Sequence, residues 1–316
     1  MKPTRRQFLA TGAVAGAGAL AGCDMIPFIG GGGIGQFKNW VPSAGEVNPS
    51  SESISFGASN PSQISSQKKN LHPQMYRSYQ SSYRTGVQWK SLKLTLSIEG
   101  GSVYKGSYNT DDVKSELTTA TGSDDQGKFS QEDSEGNYEI YIPSSADGAD
   151  NASRAYAVSG NAIIEARPTG SQFEDNFSSA VSNAKTIIGV GENGEARAVD
   201  NNDDFSTLTN NLSGTFVQGG TRQEEVGGDA ASIPQGNFEG LVASGGSLKI
   251  NGGNTKVTEV FVFGSNGDVS TEDIEEYVEK SDTGSGTWAH TRNVNVKQNG
   301  NAGIITGKID TYDIGR

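Results

Sequence analysis

Leu92-Lys93-Leu94-Thr95-Leu96-Ser97-Ile98 alternates apolar and polar side chains at period two, and Glu99-Gly100-Gly101 then turns the chain towards Val103-Tyr104. Successive side chains of a strand point to opposite faces, so this stretch reads as a half-buried strand followed by its hairpin partner. The same signature recurs downstream. Tyr138, Ile140 and Ile142 alternate, Ala155–Ser159 and Ala162–Ala166 flank a Gly160-Asn161 turn, and Val257–Phe263 is strongly β-branched and aromatic. Thr215–Val217 reads as one more strand, and Thr291–Val296 with Gly303–Ile309 as another hairpin. Between them lie short amphipathic helices. One starts at Asn109 and carries Val113 and Leu117, and one opens on the capping box Ser171-x-x-Glu174 and turns Phe173, Phe177, Ala180, Val181 and Ala184 inward. A third carries Phe205, Leu208 and Leu212, and a fourth starts at Ser270 and carries Ile274, Tyr277 and Val278. Strands that alternate rather than run continuously apolar favour antiparallel pairing. The fold class expected is therefore α+β, with mainly antiparallel sheets and short helices.

Two local matches point to a duplicated strand-helix-strand-strand unit. Asn109-Thr-Asp-Asp-Val113 parallels Ser270-Thr-Glu-Asp-Ile274, and Gly160-Asn-Ala-Ile-Ile164 parallels Gly300-Asn-Ala-Gly-Ile-Ile305. The expected layout is a leader over 1–22, a flexible Gly/Ser/Pro-rich tether over 23–52, an N-terminal α+β domain over 53–218 and a C-terminal one over 219–316.

The first residues have a different character. Thr4-Arg5-Arg6-Gln7-Phe8-Leu9 precedes a short, weakly apolar run rich in Gly and Ala that ends in Leu20-Ala21-Gly22-Cys23. A charged stretch before a run too short to span a bilayer is a targeting segment and not a fold element. The paired arginines followed by Phe8-Leu9 resemble twin-arginine signal peptides, and Leu20–Cys23 resembles the lipobox of bacterial and archaeal lipoproteins. The resemblance implies cleavage before Cys23, a lipid on its thiol, and passage through the twin-arginine translocase and a signal peptidase. The product is expected at the extracellular face of the cytoplasmic membrane, lipid-anchored and without a membrane-spanning helix. Cys23 is the only cysteine, so no intramolecular disulfide can form.

Loss of Lys2, Arg5 and Arg6 would take the formal charge from −12 to −15. So acidic a surface, with abundant Ser, Thr and Asn, stays hydrated when salt screens charge. Taken with the leader, it resembles the twin-arginine-exported lipoproteins of halophilic archaea that have no assigned activity. Asn151, Asn176 and Asn211 sit in Asn-x-Ser sequons and are candidate glycosylation sites.

No catalytic motif stands out. Gly189-x-Gly191-x-x-Gly194 lacks a strand before it and a helix after it, so it reads as a turn and not a dinucleotide fingerprint. There is no Gly-x-Ser-x-Gly elbow, and His72 and His290 have no recognisable partner. Asp200, Asn202 and Asp204 alternate as calcium ligands do. They lack the glycine and terminal glutamate of a calcium loop, which leaves them a weak candidate. No cofactor is expected, and no enzymatic activity.

One segment breaks the acidic pattern. From Ser53 to Ile98 there is no Asp or Glu, while Lys68, Lys69, Arg77, Arg84, Lys90 and Lys93 are basic. Tyr76, Tyr79, Tyr83 and Trp89 are interleaved with them. Such a segment either packs against an acidic partner, such as lipid head groups or an acidic cell-surface protein, or pairs with the chain's own acidic remainder. Nucleic acid is disfavoured, because the rest of the chain would repel phosphate. The expected role is a non-catalytic binding or scaffolding protein at the outer membrane face. A solute-binding lipoprotein of a transporter and a secreted carboxylate-dependent hydrolase are the alternatives.

Overall fold

The protein is described by a computed structural model covering residues 34–79, 85–119, 128–144, 154–169, 176–227, 232–233, 236–264, 269–281, 288 and 290–314. Its strands are β1 (Ser55–Ser59), β2 (Leu92–Ile98), β3 (Gly101–Gly106), β4 (Phe129–Glu135), β5 (Tyr138–Pro143), β6 (Ala155–Val158) and β7 (Ile163–Ala166) in the first half. The second half has β8 (Phe216–Thr221), the two-residue pair β9 (Ser232–Ile233) and β10 (Gly236–Asn237), β11 (Leu241–Asn251), β12 (Asn254–Phe263), β13 (Arg292–Asn299) and β14 (Ala302–Asp310). Among the described residues, seven α-helices accompany them: α1 (Pro61–Ser66), α2 (Pro73–Tyr79), α3 (Thr110–Thr119), α4 (Asn176–Ile188), α5 (Ala198–Asn201), α6 (Asp203–Asn211) and α7 (Thr271–Ser281).

All strands except β9 and β10 join one open antiparallel sheet of 12, in the order β13-β14-β12-β11-β8-β1-β2-β3-β7-β6-β5-β4. The α+β class expected from the alternation is the one found. The two parallel-stranded lobes of a typical solute receptor are not this architecture.

The two halves of the chain meet in the pairing of β1 with β8, in which Gly57 faces Gln218 and Ala58 faces Val217. An antiparallel pair has a local two-fold axis perpendicular to the sheet, and the topology obeys it. On one side β1, β2 and β3 lead into α3, and β6 and β7 return so that β7 lies beside β3. On the other, β8, β11 and β12 lead into α7, and β13 and β14 return so that β14 lies beside β12. The first half adds the β4–β5 hairpin before β6. Both matched sequence pairs fall on equivalent places, the starts of α3 and α7 and the β6–β7 and β13–β14 turns. The boundary expected between 218 and 219 lies inside β8, so the sheet passes through it unbroken.

Each face has its own cover. A 3-10 helix (Ile34–Trp40), α4 and α6 pack on one side, where Phe56 stacks on Phe37 at 5.1 Å and meets Phe205 edge-on at 5.3 Å. Burying one such ring contributes about 1.5–3 kcal/mol. On the other side α3 closes one wing with Val113 and Leu117 against Leu92, Phe129 and Tyr156. There α7 closes the other wing, with Ile274 and Tyr277 against Phe261 and Ile305.

Of the tether expected over 23–52, the described part from residue 34 onward is packed into the fold. Ile34, Phe37, Trp40, Val41 and Val47 are all buried in the main core, and Pro42 bridges to Arg197. Their near-helical spacing was masked by the surrounding glycines and serines. Gly191 explains part of the fit, since a Cβ there would lie 2.2 Å from the Trp40 ring. The glycine run 189–194 is a π-turn ending α4, closed by Gly194 at φ 80°.

The central seam makes a direct prediction. A methyl on Gly220 would come 2.3 Å from the Ile54 carbonyl oxygen, whereas one on Gly57 would meet nothing within 4 Å. Gly220→Ala is expected to cost at least about 2 kcal/mol in urea unfolding. Gly57→Ala should cost nothing, or stabilise by up to about 1 kcal/mol through the unfolded chain.

Candidate interaction surface

The acid-free segment folds as a compact excursion between β1 and β2. Asn60 caps α1 by accepting from the Gln63 amide at 3.2 Å, and Pro61 supplies a pre-set first turn. Lys68–Asn70 form a 3-10 turn, α2 follows, and a second 3-10 turn at Trp89–Ser91 leads into β2. Ile64, Leu71 and Tyr76 are the buried anchors. Tyr76 lies edge-on to Trp89 at 5.7 Å, with the Lys68 ammonium 5.1 Å from its ring centre. The described aromatics of the segment thus hold it together, while Lys68, Lys69, Arg77, Lys90 and Lys93 are exposed. Tyr79 ends α2 with its side chain outside the described set, and Tyr83 and Arg84 lie outside it altogether.

The alternative role for these cations, pairing with the chain's own acids, is not what the structure shows for the described five. The ion pairs among the described residues are Lys114–Glu139, Arg154–Glu165, Arg167–Glu165, Lys185–Asp133, Lys280–Glu276 and Arg292–Asp310. None draws on the segment 53–98. His72 packs its ring against exposed Tyr312 at 5.2 Å, which seats the segment beside the end of β14.

Sequence reading missed a second set of cations. Lys249 faces Lys256 across β11 and β12, Lys256 faces Lys308 across β12 and β14, and Lys308 faces Arg292 across β14 and β13. Positions so far apart in sequence give no linear signal. Only the pairing registers align them.

Glu259 was missed too. It lies in β12 on the face covered by α7, fully buried, where the Tyr277 hydroxyl donates to it at 3.2 Å and the Trp288 indole N–H at 3.0 Å. Phe238 and Phe261 pack on Tyr277 and complete an apolar surround. Desolvation raises its pKa from 4.5 to about 7, against the two hydrogen bonds that oppose the shift. A lone acid within Val257–Phe263 was the available clue, since a buried charge demands partners.

The calcium candidate resolves differently. The Asn202 side-chain oxygen accepts from the Phe205 amide at 2.7 Å and caps α6, so it is already engaged. Burial raises the Asp204 pKa, with Asp203 and Glu225 adding repulsion. Among the described residues no group of three or more His, Cys, Asp or Glu is placed to hold a metal. Of the sequons, Asn151 lies outside the described residues and Asn176 opens α4. Asn211 is half-buried, with its amide donating to Thr207 at 2.9 Å and its oxygen accepting from Asn299 at 2.8 Å. Arg5, Arg6, Phe8, Leu9, Leu20, Ala21, Gly22 and Cys23 all lie outside the described residues.

On the face away from the main core, the central strands carry a half-buried strip of Ser55, Gly57, Ser97, Gln218, Gly220 and Gly246 between the α3 and α7 wings. Arg222 continues β8 beyond it, with one buried guanidinium nitrogen lacking a hydrogen-bond partner. Burial lowers its pKa.

No protein-family model matches the chain, and no curated protein matches it in sequence. The fold has distant structural similarity to the solved protein TP0453. Crystal form I of that protein aligns with a TM-score of 0.42 at 11% identity, covering 86% of this chain and 92% of that one. Crystal forms III and IV align with TM-scores of 0.41 and 0.40, each at 10% identity. No helix among the described residues is long and apolar enough to cross a membrane.

Glu259 gives a pH prediction. Its folded pKa lies above its unfolded value, so the native state holds the proton more tightly. Its contribution is therefore full below about pH 4.5 and is lost as pH rises through about 7. The loss is on the order of 3 kcal/mol. Glu259→Gln keeps an acceptor for Tyr277 and Trp288 and should flatten the stability profile between those pH values, as read by urea midpoints.

Proposed function

We propose that this is a lipid-anchored, non-catalytic binding or scaffolding protein, held at the outer face of the membrane through Cys23. The leader motif Thr4–Leu9 and the Leu20–Cys23 lipobox support the address. The observation that carries a binding role is the basic excursion between β1 and β2. It keeps Lys68, Lys69, Arg77, Lys90 and Lys93 exposed and without an ion-pair partner among the described residues, in a chain rich in carboxylates. A cation near a carboxylate gains little at an exposed site, up to about 1 kcal/mol. Even that small gain has been forgone at all five positions, which suits a surface reserved for an outside partner. The edge-on packing of Tyr76 on Trp89 braces the segment that carries them.

Two experiments test this reading. Cys23→Ser should move the protein from the membrane fraction to the medium after export, whereas the parent should label with radioactive lipid precursors. Full membrane retention of the variant would overturn the anchor. Replacing Lys68, Lys69, Arg77, Lys90 and Lys93 by Gln should change unfolding free energy by no more than about 0.5 kcal/mol per site. The same variant should lose partner capture in surface crosslinking.

A further inference from the structure

Cross-strand register builds a line of positive charge that no part of the linear sequence displays. Lys249, Lys256, Lys308 and Arg292 lie directly opposite one another on β11, β12, β14 and β13. Directly opposed residues share a face, so the four side chains form one row about 14 Å long across four strands. All four are exposed. The Arg292 guanidinium pairs with Asp310. Lys249, Lys256 and Lys308 have no ion-pair partner among the described residues.

Like charges placed directly opposite on a sheet are destabilising, so the row is unfavourable for the fold itself. Acids are abundant elsewhere in the chain, yet among the described strand residues next to the row on its face Asp310 is the one acid, and Arg292 occupies it.

The excursion between β1 and β2 opens onto the same end of the sheet. Ser59, Phe216, Leu248, Val257 and Gly307 are successive partners across β1, β8, β11, β12 and β14, and Lys249, Lys256 and Lys308 each lie one position further towards that end. Ser59 is the last residue of β1, and α1 starts two residues on. Lys93 lies two residues before Thr95, the partner of Ser59 on β2, and so projects at the same end. The ring contact of His72 with Tyr312 ties the excursion to the end of β14. Two basic groups, distant in sequence and without ion-pair partners among the described residues, thus share one end of the sheet.

We infer that this end of the sheet is a docking surface for an anionic lipid bilayer, with the Lys249–Lys256–Lys308 row as its centre. The inference rests on the proposed anchoring at Cys23, because it is the tether that brings a bilayer within reach. Ten residues lie between Cys23 and Ile34, the first described residue, so the eleven Cα–Cα steps from one to the other span at most about 40 Å when extended. Such a tether holds the domain near the bilayer without choosing which side faces it. A straight row of like charges on a rigid sheet suits a flat array of phosphate head groups. Each cation near an anionic leaflet contributes on the order of 1 kcal/mol. The docking surface therefore sets the orientation that the tether leaves free.

The test uses the full chain carrying Cys23→Ser, so that no lipid anchor contributes. It is floated with phosphatidylcholine vesicles, or with vesicles that also contain about 30% phosphatidylglycerol, at an ionic strength of about 0.1 M. The chain is expected to float with the anionic vesicles only, and to be released as salt rises. Adding Lys249→Gln, Lys256→Gln and Lys308→Gln should weaken flotation at least about tenfold, with an unchanged or higher melting temperature. Equal flotation of the two chains, or equal flotation on both vesicle types, would overturn the inference. So would capture on immobilised polyglutamate without any flotation, which would assign the surface to an acidic protein. Lipid labelling of the parent at Cys23 is read separately, so an anchor that fails and a docking surface that fails give different results.

Discussion

The pairing of β1 with β8 is the contact on which the rest of the molecule depends. It joins strands about 160 residues apart and divides the 12-strand order into five strands on the β8 side and seven on the β1 side, so without it the sheet separates into two wings. Neither wing is self-sufficient. The main core on one face draws on both, with Phe56 and Leu96 from the first half and Val217, Val260 and Ile304 from the second. The backbones approach closely enough at Gly220 that a side chain would collide with Ile54. The repeated order of strands and helix around this seam follows from the two-fold nature of any antiparallel pair, once each half carries the same unit.

Strands that present one face to a core and one to polar surroundings were legible in the sequence. Leu92–Ile98 and Tyr138–Pro143 announce themselves by period two, and the β6–β7 turn by Gly160-Asn161. Leu241–Asn251 was not legible. As an interior strand it is buried over Leu241–Gly245, so its first half has no alternation, and Gly245-Gly246 reads as a turn in isolation. Phe129–Glu135 is an edge strand with Glu132, Asp133 and Glu135, and its polarity made it look like loop. In each case position within the sheet overrode local pattern, and position is set by partners far away. The candidate site divides the same way. The basic segment is continuous and could be read directly, whereas the lysine row and the Glu259–Tyr277–Trp288 cluster exist only after pairing.

Charge is distributed along the sheet according to the same topology. The wing that ends in β4 pairs acids with bases locally, as Lys114 does with Glu139 and Lys185 with Asp133. The other wing keeps three lysines aligned and without an ion-pair partner among the described residues. A chain of net charge −12 can therefore present a cationic end without being cationic overall.

The seam also governs what the nascent chain experiences. β1 finds its β2 partner within about 40 residues, but its opposite edge stays open until β8 has been synthesised. An open strand edge is a template for other chains to add to. β1 is only five residues long, and its Ser-Phe-Gly-Ala-Ser composition is poor in β-branched side chains. A strand so short and weakly zippered offers little to a neighbouring polypeptide during that wait, so the last-arriving partner finds the slot still vacant.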